Sequence, residues 1–336
     1  MLFFPAMSRR RQSLKNFEQK LPLVNFINYS MEASEVIIED QGLRDGLQSL
    51  PITVPTATKL RWARMLAEAG LRRLQVTSFV HPAKVPQMAD AEAVAQGMEP
   101  EEGLVLSALV LNVKGIERAA AAGFRHVAAS LSASETHSRR NTNMGIEASK
   151  AEFQEMVRIA DRYGITLRGG IQCAFGCRYE GLLKTSWVID LVRHHLDCGV
   201  QELALADSTG MGHPAQISRM MEQVMGLAGD TPVSLHLHNT ENKGYANLFA
   251  ALQAGVRQFD TAFGGLGGCP FIKGATGNIA TEDTVLMLEE SGYATGINIR
   301  KVASVSREME GLLGGRLPGL LYGLVGRDDI QWNGRA

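Results

Sequence analysis

The 336-residue sequence predicts an α/β protein, a closed (β/α)8 TIM barrel with a C-terminal helical extension. Three observations predict it. From Glu35 onward, eight short aliphatic or β-branched runs alternate with stretches of helical periodicity. Several of those helical stretches end in glycine just before the next strand, where glycine takes the left-handed backbone at no steric cost. No long linker separates the units. A doubly wound sheet is the competing arrangement, but the early Gly-x-Gly-x-x-Gly fingerprint of its dinucleotide-binding version is missing.

The strand candidates, in order, are 36–40 (VIIED), 71–78 (LRRLQVTS), 104–110 (LVLSALV), 126–133 (HVAASLSA), 166–173 (TLRGGIQC), 202–207 (ELALAD), 233–238 (VSLHLH) and 257–263 (RQFDTAF). Among the helices, Thr56 to Ala69 carries Leu60, Ala63, Met65, Leu66 and Ala69 at helical spacing. The same pattern recurs over Glu147–Tyr163, Ser186–His195, Pro214–Leu227 and Tyr245–Ala254, and the glycine stops are Gly70, Gly123, Gly164, Gly199 and Gly255. A last helix is expected near Ile299–Leu312. The domain reading is an extension over 1–34, a catalytic barrel over 35–296, and a helix and tail over 297–336. The tail, "LLGGRLPGLLYGLVG", can serve a subunit interface or cap the underside of the barrel.

With 45% hydrophobic residues and a net charge of -1, the chain has no electrostatic case for binding nucleic acid or an anionic membrane. Small molecules and other subunits are the expected partners. Four cysteines are too few for a disulfide framework at this length, which points to a reducing compartment and a cytoplasmic protein. No apolar stretch approaches the roughly 20 residues that span a bilayer. The first twenty residues are Arg-rich and acid-poor up to Glu18. We read them as an extension; read as a transit peptide, they would send the protein to the mitochondrial matrix.

In such barrels the strand C-termini carry the active site. Strand one runs into "GLRDGLQ" with Arg44 and Asp45. Strand two offers Gln75, Thr77 and Ser78, strand five Gln172 and Cys173, strand six Asp207, strand seven His236 and His238. Strand eight opens into "GGLGGCPFIKGATGN", with Cys269 and Asn278. His236 and His238 share one side of a strand with Cα atoms about 7 Å apart. They are either two hydrogen-bonded core histidines or two ligands of one ion, and their pairing on an inward barrel face favours ligation. With Asp45 and the Asn278 amide oxygen they offer two nitrogens and two oxygens, a set suited to octahedral Mg²⁺ or Mn²⁺ rather than zinc. Asp45 can equally form an Asx-turn before Gly46. Arg44 is either a surface ion pair or a permanent positive charge for a developing oxyanion. Cys269 is either a small loop filler or an accessible thiol on a lid. Lys273 is followed by Gly274 and Ala275, so the glycine-rich stretch is no P-loop. "CAFGC" (Cys173 to Cys177) has no second cysteine pair with which to build a structural zinc site.

Together "GLRDGLQ", "TSFVHPAKVPQMAD", "CAFGCRYEG", "HLHNT" and "AFGGLGGCPFIKGATGNIATED" resemble the 3-hydroxy-3-methylglutaryl-CoA lyases of the metal-dependent TIM-barrel superfamily, over roughly Val36 to Gly296. The resemblance implies a divalent cation on Asp45, His236, His238 and Asn278, with Arg44 stabilising an enolate. It implies Cys269 on a catalytic loop, Asp207 as a further acid and an acyl-CoA substrate in a homodimer. It also implies cleavage of 3-hydroxy-3-methylglutaryl-CoA to acetyl-CoA and acetoacetate. His236, Asp207 and Cys269 are the candidates for moving the proton. The chain departs from that pattern at several places. Gln75 stands where these lyases usually carry glutamate, and Asn239 where aspartate follows the second histidine. Thr136 and His137 replace apolar residues, and Arg178 replaces a common proline. Gln75, Ser78, His137 and Arg178 are therefore pocket candidates, and a related thioester such as a citramalyl-CoA is an alternative substrate. The rival readings are a same-fold synthase using a 2-oxo acid and a non-catalytic acyl-CoA-binding relative.

Overall fold

The computed structural model describes residues 34–99, 101–268 and 277–326. Eight parallel strands close in sequence order, with the first paired to the last. They are β1 (Ile37–Asp40), β2 (Arg73–Ser78), β3 (Val105–Leu109), β4 (His126–Ser132), β5 (Thr166–Gln172), β6 (Glu202–Asp207), β7 (Val233–Leu237) and β8 (Gln258–Thr261). Around them lie α1 (Thr56–Glu68), α2 (Ala91–Gly97), α3 (Val113–Ala121), α4 (Glu135–Thr142), α5 (Ile146–Arg162), α6 (Thr185–Asp197), α7 (Pro214–Ala228), α8 (Gly244–Gln253), α9 (Thr281–Glu290) and α10 (Ile299–Leu313). All eight expected strands form, and so do the six expected helices. Periodicity did not single out α2, α3, α4 or α9. The first three are short, and α9 follows directly on the glycine-rich loop read as a lid.

Strand alternation sorts the side chains. Val127, Ala129 and Leu131, Leu203 and Leu205, and Val233, Leu235 and Leu237 are buried and face the helices. Each fully buried aliphatic side chain of this kind stabilises the fold by about 1.5–3 kcal/mol. The alternate residues face the lumen, and there the barrel is polar. Glu39, Arg73, Ser107, His126, Arg168, Glu202, Ser234 and Asp260 fill its lower half. Arg73 holds Glu39 at 3.0 Å and forks onto Glu202 at 3.0 and 2.7 Å. Arg168 forks onto Asp260 at 2.9 and 3.1 Å. Every charge in this layer meets an opposite one, as burial requires.

All five expected glycine stops have positive φ. Helix α10 packs on α1: Glu308 accepts from Trp62 Nε1 at 2.7 Å and pairs with Arg61. The described residues from Ser34 onward fall in one compact unit.

Candidate metal centre and its surroundings

The chain leaves β1 through a single wide π-type turn, Gly42–Gly46. Such turns are rare and cluster at functional sites. Gly42 is required there, because a Cβ would lie 2.3 Å from the Phe263 ring. The turn delivers Arg44 and Asp45 to the C-terminal mouth of the barrel. Strand β7 sends Ser234, His236 and His238 to the lumen side. A backbone bridge pairs His238 with Asn278, so the segment after the glycine-rich loop returns beside β7. Gly267 backs onto this pair: at φ 112°, a Cβ would sit 2.5 Å from Asn278 Nδ2 and 3.0 Å from Asp45 Oδ2.

Asp45, His236 and His238 thus bring three ligand atoms within 4.8 Å of one another. Asn278 Nδ2 donates to Asp45 Oδ2 at 2.8 Å, which places the fourth expected residue alongside. The donor set fits a divalent cation. His236 Nε2 and His238 Nε2 face each other at 3.0 Å. Adjacent ligands of an octahedral ion with bonds of about 2.1 Å are about 3.0 Å apart. Asn278 Oδ1 is buried with no hydrogen-bond partner. Burial, then His236, pushes the His238 pKa down to about 4, so its ring is neutral at pH 7 and able to ligate. Burial alone would raise the Asp45 carboxyl, but Arg44, His236 and His238 outweigh it and hold it at about 2.

Arg44 is held from three sides. Its guanidinium donates to the side-chain oxygens of Gln75, Gln41 and Asp45. Two of those partners are neutral amides, so much of its charge is left for a ligand. Asp260 approaches His236 Nδ1 at 3.3 Å from the lumen side, while Arg168 forks onto the same carboxylate. A carboxylate behind a ligating imidazole fixes which ring nitrogen keeps the proton. Gln41, Asp260 and Arg168 were not singled out in the sequence. For Asp260 the signal was available: an acid at a lumen position of strand eight, in register with His236.

Asp207, His137 and Arg178 make their contacts away from the cluster. Asp207 shares the helix-facing parity of Leu203 and Leu205, and its Oδ2 accepts from Gly212 N at 3.0 Å in its own loop. No described contact links it to the cluster. Burial, partly offset by the Gly212 amide, lifts its pKa to about 6. His137 caps the top of β4, with Nδ1 3.1 Å from Ser132 Oγ. Arg178 pairs with Glu241 at 2.7 Å and donates to Thr209 O at 3.2 Å, tying three loops at the rim. Ser78 is fully buried on β2. Cys269 lies outside the described residues.

A parallel eight-stranded barrel with two histidines, an acid and an amide at its C-terminal mouth defines a metal-site TIM-barrel protein. Residues 35–309 match the family described as HMGL-like, and the chain belongs to that family. A hydroxymethylglutaryl-CoA lyase of Bacillus subtilis is 37% identical over 284 residues, covering 84% of this chain and 95% of its own. An (R)-citramalyl-CoA lyase of Chloroflexus aurantiacus is 41% identical over 302 residues, covering 87% and 94%. The structure of an HMG-CoA lyase of Acinetobacter baumannii, in complex with coenzyme A and 3-methylmalate, superposes with a TM-score of 0.83 at 38% identity. It covers 88% of this chain and 96% of that one. The carboxyl transferase domain of Rhizobium etli pyruvate carboxylase shares the fold alone, at 18% identity and a TM-score of 0.64.

Proposed function

We propose that the protein is a divalent-metal-dependent carbon–carbon lyase that cleaves 3-hydroxy-3-methylglutaryl-CoA, or a close analogue, to acetyl-CoA and a keto acid. The observation that carries the reading is the convergence of Asp45, His236, His238 and Asn278, with Arg44 beside them, in a chain that is 37–41% identical to named acyl-CoA lyases over 84–87% of its length. Those four residues would hold Mg²⁺ or Mn²⁺, and a bound cation there supplies Lewis acidity toward the substrate's 3-hydroxyl.

The remaining chemistry falls to the chain. The 3-hydroxyl loses its proton, the C2–C3 bond breaks, C3 becomes a carbonyl, and the electron pair moves into the thioester enolate. Arg44, fixed by Gln41, Gln75 and Asp45, offers its guanidinium to that enolate oxygen. The proton released from the 3-hydroxyl balances the one that C2 then takes up; with both His236 ring nitrogens engaged, by the cation site and by Asp260, Cys269 is the candidate donor. Gln75, Ser78, His137 and Arg178 are pocket candidates, and with the citramalyl-CoA lyase relative they favour a second reading in which the acyl group is citramalyl. Exposed Leu312, Leu320 and Leu324 near the C-terminus support a homodimer.

The test is acetyl-CoA release from a panel of 3-hydroxyacyl-CoA thioesters with Mg²⁺ or Mn²⁺. Cleavage of at least one, abolished by chelation, is the expected result. Condensation with a 2-oxo acid and no release from any thioester would reject the lyase.

A further inference from the structure

Gln75 carries a hydrogen-bond donor that the described protein does not use. The side chain is fully buried, and its Oε1 accepts from Arg44 Nε. Arginine only donates, so the amide oxygen must face Arg44 and the NH2 must turn away. That Nε2 is buried without a partner. Ser78 Oγ, three residues on, is in the same condition. Simple alternation would put residues 75 and 78 on opposite faces. The β2–β3 register shifts between Gln75 and Thr77, however, so β2 spends one extra residue there. Gln75 pairs with Ser107, whose hydroxyl reaches Glu39 in the lumen, and Ser78 pairs with Leu109, two residues further along β3. The bulge therefore returns Ser78 to the lumen side that Gln75 occupies.

Two buried donors without partners, on the lumen face that holds the Arg44 guanidinium, cost the fold free energy unless a ligand completes them. We propose that Gln75 Nε2 and Ser78 Oγ form, with Arg44, a subsite for an acceptor-only oxygen of the acyl-CoA substrate: a carboxylate, or the thioester oxygen that becomes the enolate. The inference rests on the lyase reading for the identity of that ligand. Glutamate at position 75 has the same shape but no donor at neutral pH. It would still accept from Arg44 but would offer the incoming oxygen no donor in place of Nε2. The amide is thus a choice of what the pocket reads, and residue 75 is a specificity determinant.

The test compares wild type, Gln75→Glu and Ser78→Ala for kcat and KM on the thioester panel, with calorimetric binding of the same thioesters and thermal melts. Wild-type turnover judges the lyase reading; binding to the variants judges the subsite whether or not turnover occurs. We expect Gln75→Glu to lose about ten- to hundredfold in kcat/KM or affinity, and Ser78→Ala about three- to tenfold, with melting temperatures nearly unchanged. A loss in KM identifies a ground-state carboxylate; a loss in kcat alone identifies the enolate oxygen. If Gln75→Glu does not fold, Ser78→Ala carries the test. Wild-type binding and kcat/KM in the folded variants would overturn the proposal, as would losses that only track a fall in melting temperature.

Discussion

Replacing Asp260 by asparagine tests how the lumen controls the metal site. Asp260 is 2% exposed and sits between Arg168, at 2.9 and 3.1 Å, and His236 Nδ1, at 3.3 Å. Arg168 needs an acceptor, so the new amide turns its oxygen toward the guanidinium and its NH2 toward His236. Nδ1 must then accept, which moves the ring proton to Nε2, the atom that faces His238 at 3.0 Å. A cation must now displace a proton that the native tautomer keeps out of its way. Loss of such an outer partner costs about 10–100-fold in metal affinity, or about 1.4–2.8 kcal/mol. The charge balance moves in the same direction. Glu39, Glu202 and Asp260 face Arg73 and Arg168, three carboxylates against two guanidinium groups, and the surplus negative charge is lost in the variant. The assay is Mn²⁺ titration by calorimetry, with circular dichroism to confirm the fold and ¹⁵N imidazole shifts to read the tautomer. Ser234→Ala, which removes two long contacts of 3.4 Å, to Arg168 and to the Leu203 carbonyl, and leaves Asp260 untouched, is the control. Wild-type Mn²⁺ affinity in a folded Asp260→Asn, with Nδ1 still protonated, would refute the reasoning.

His238→Ala should remove Mn²⁺ binding and metal-dependent turnover while the circular dichroism spectrum stays native; global unfolding would instead favour a core histidine. Gly267→Ala should weaken Mn²⁺ binding at least tenfold, because its methyl group meets Asn278 and Asp45 and φ is 112°; unchanged calorimetry would show that the loop yields. Glu282 gives a pH prediction. Burial, partly offset by bonds from Ser306 and Gly264, raises its pKa from 4.5 to about 7. The folded state keeps a proton that the unfolded state releases, so this contribution is fully present below about pH 4.5 and is lost as pH rises through 7. It amounts to at most on the order of 3 kcal/mol. Melting curves of Glu282→Gln should fall less than wild type between pH 5 and 8, and parallel curves would exclude Glu282 as the source.

The barrel was legible because its helix-facing strand residues are aliphatic and its helices stop at glycines, both local signals. The metal quartet was legible in part. His236 and His238 betray themselves as polar residues at alternate positions of an apolar run, but Asp45 and Asn278 become neighbours only through the π-type turn and the His238–Asn278 bridge. Asp207 shows the converse. Its place at a strand end suggested a site acid, yet one residue of parity turns it away from the lumen. Ser78 depends on the β2 bulge, which no periodicity announces.

The charged lumen explains why stability and site geometry are coupled here. An aliphatic lower core would pack as well at lower desolvation cost. It would leave His236 without a fixed Nδ1 partner, and either ring tautomer would then be open to it. Arg168 holds Asp260, Arg168 and Arg73 share Glu39 as acceptor, and Arg73 passes the network to Glu202 and His126. Each link restrains the next, so the imidazole that should receive the cation is aimed by six other strands rather than by its own backbone alone. Arg73→Leu, remote from the mouth, should therefore weaken Mn²⁺ binding as well as lower the melting temperature. A variant that loses stability alone would confine the network to a structural role.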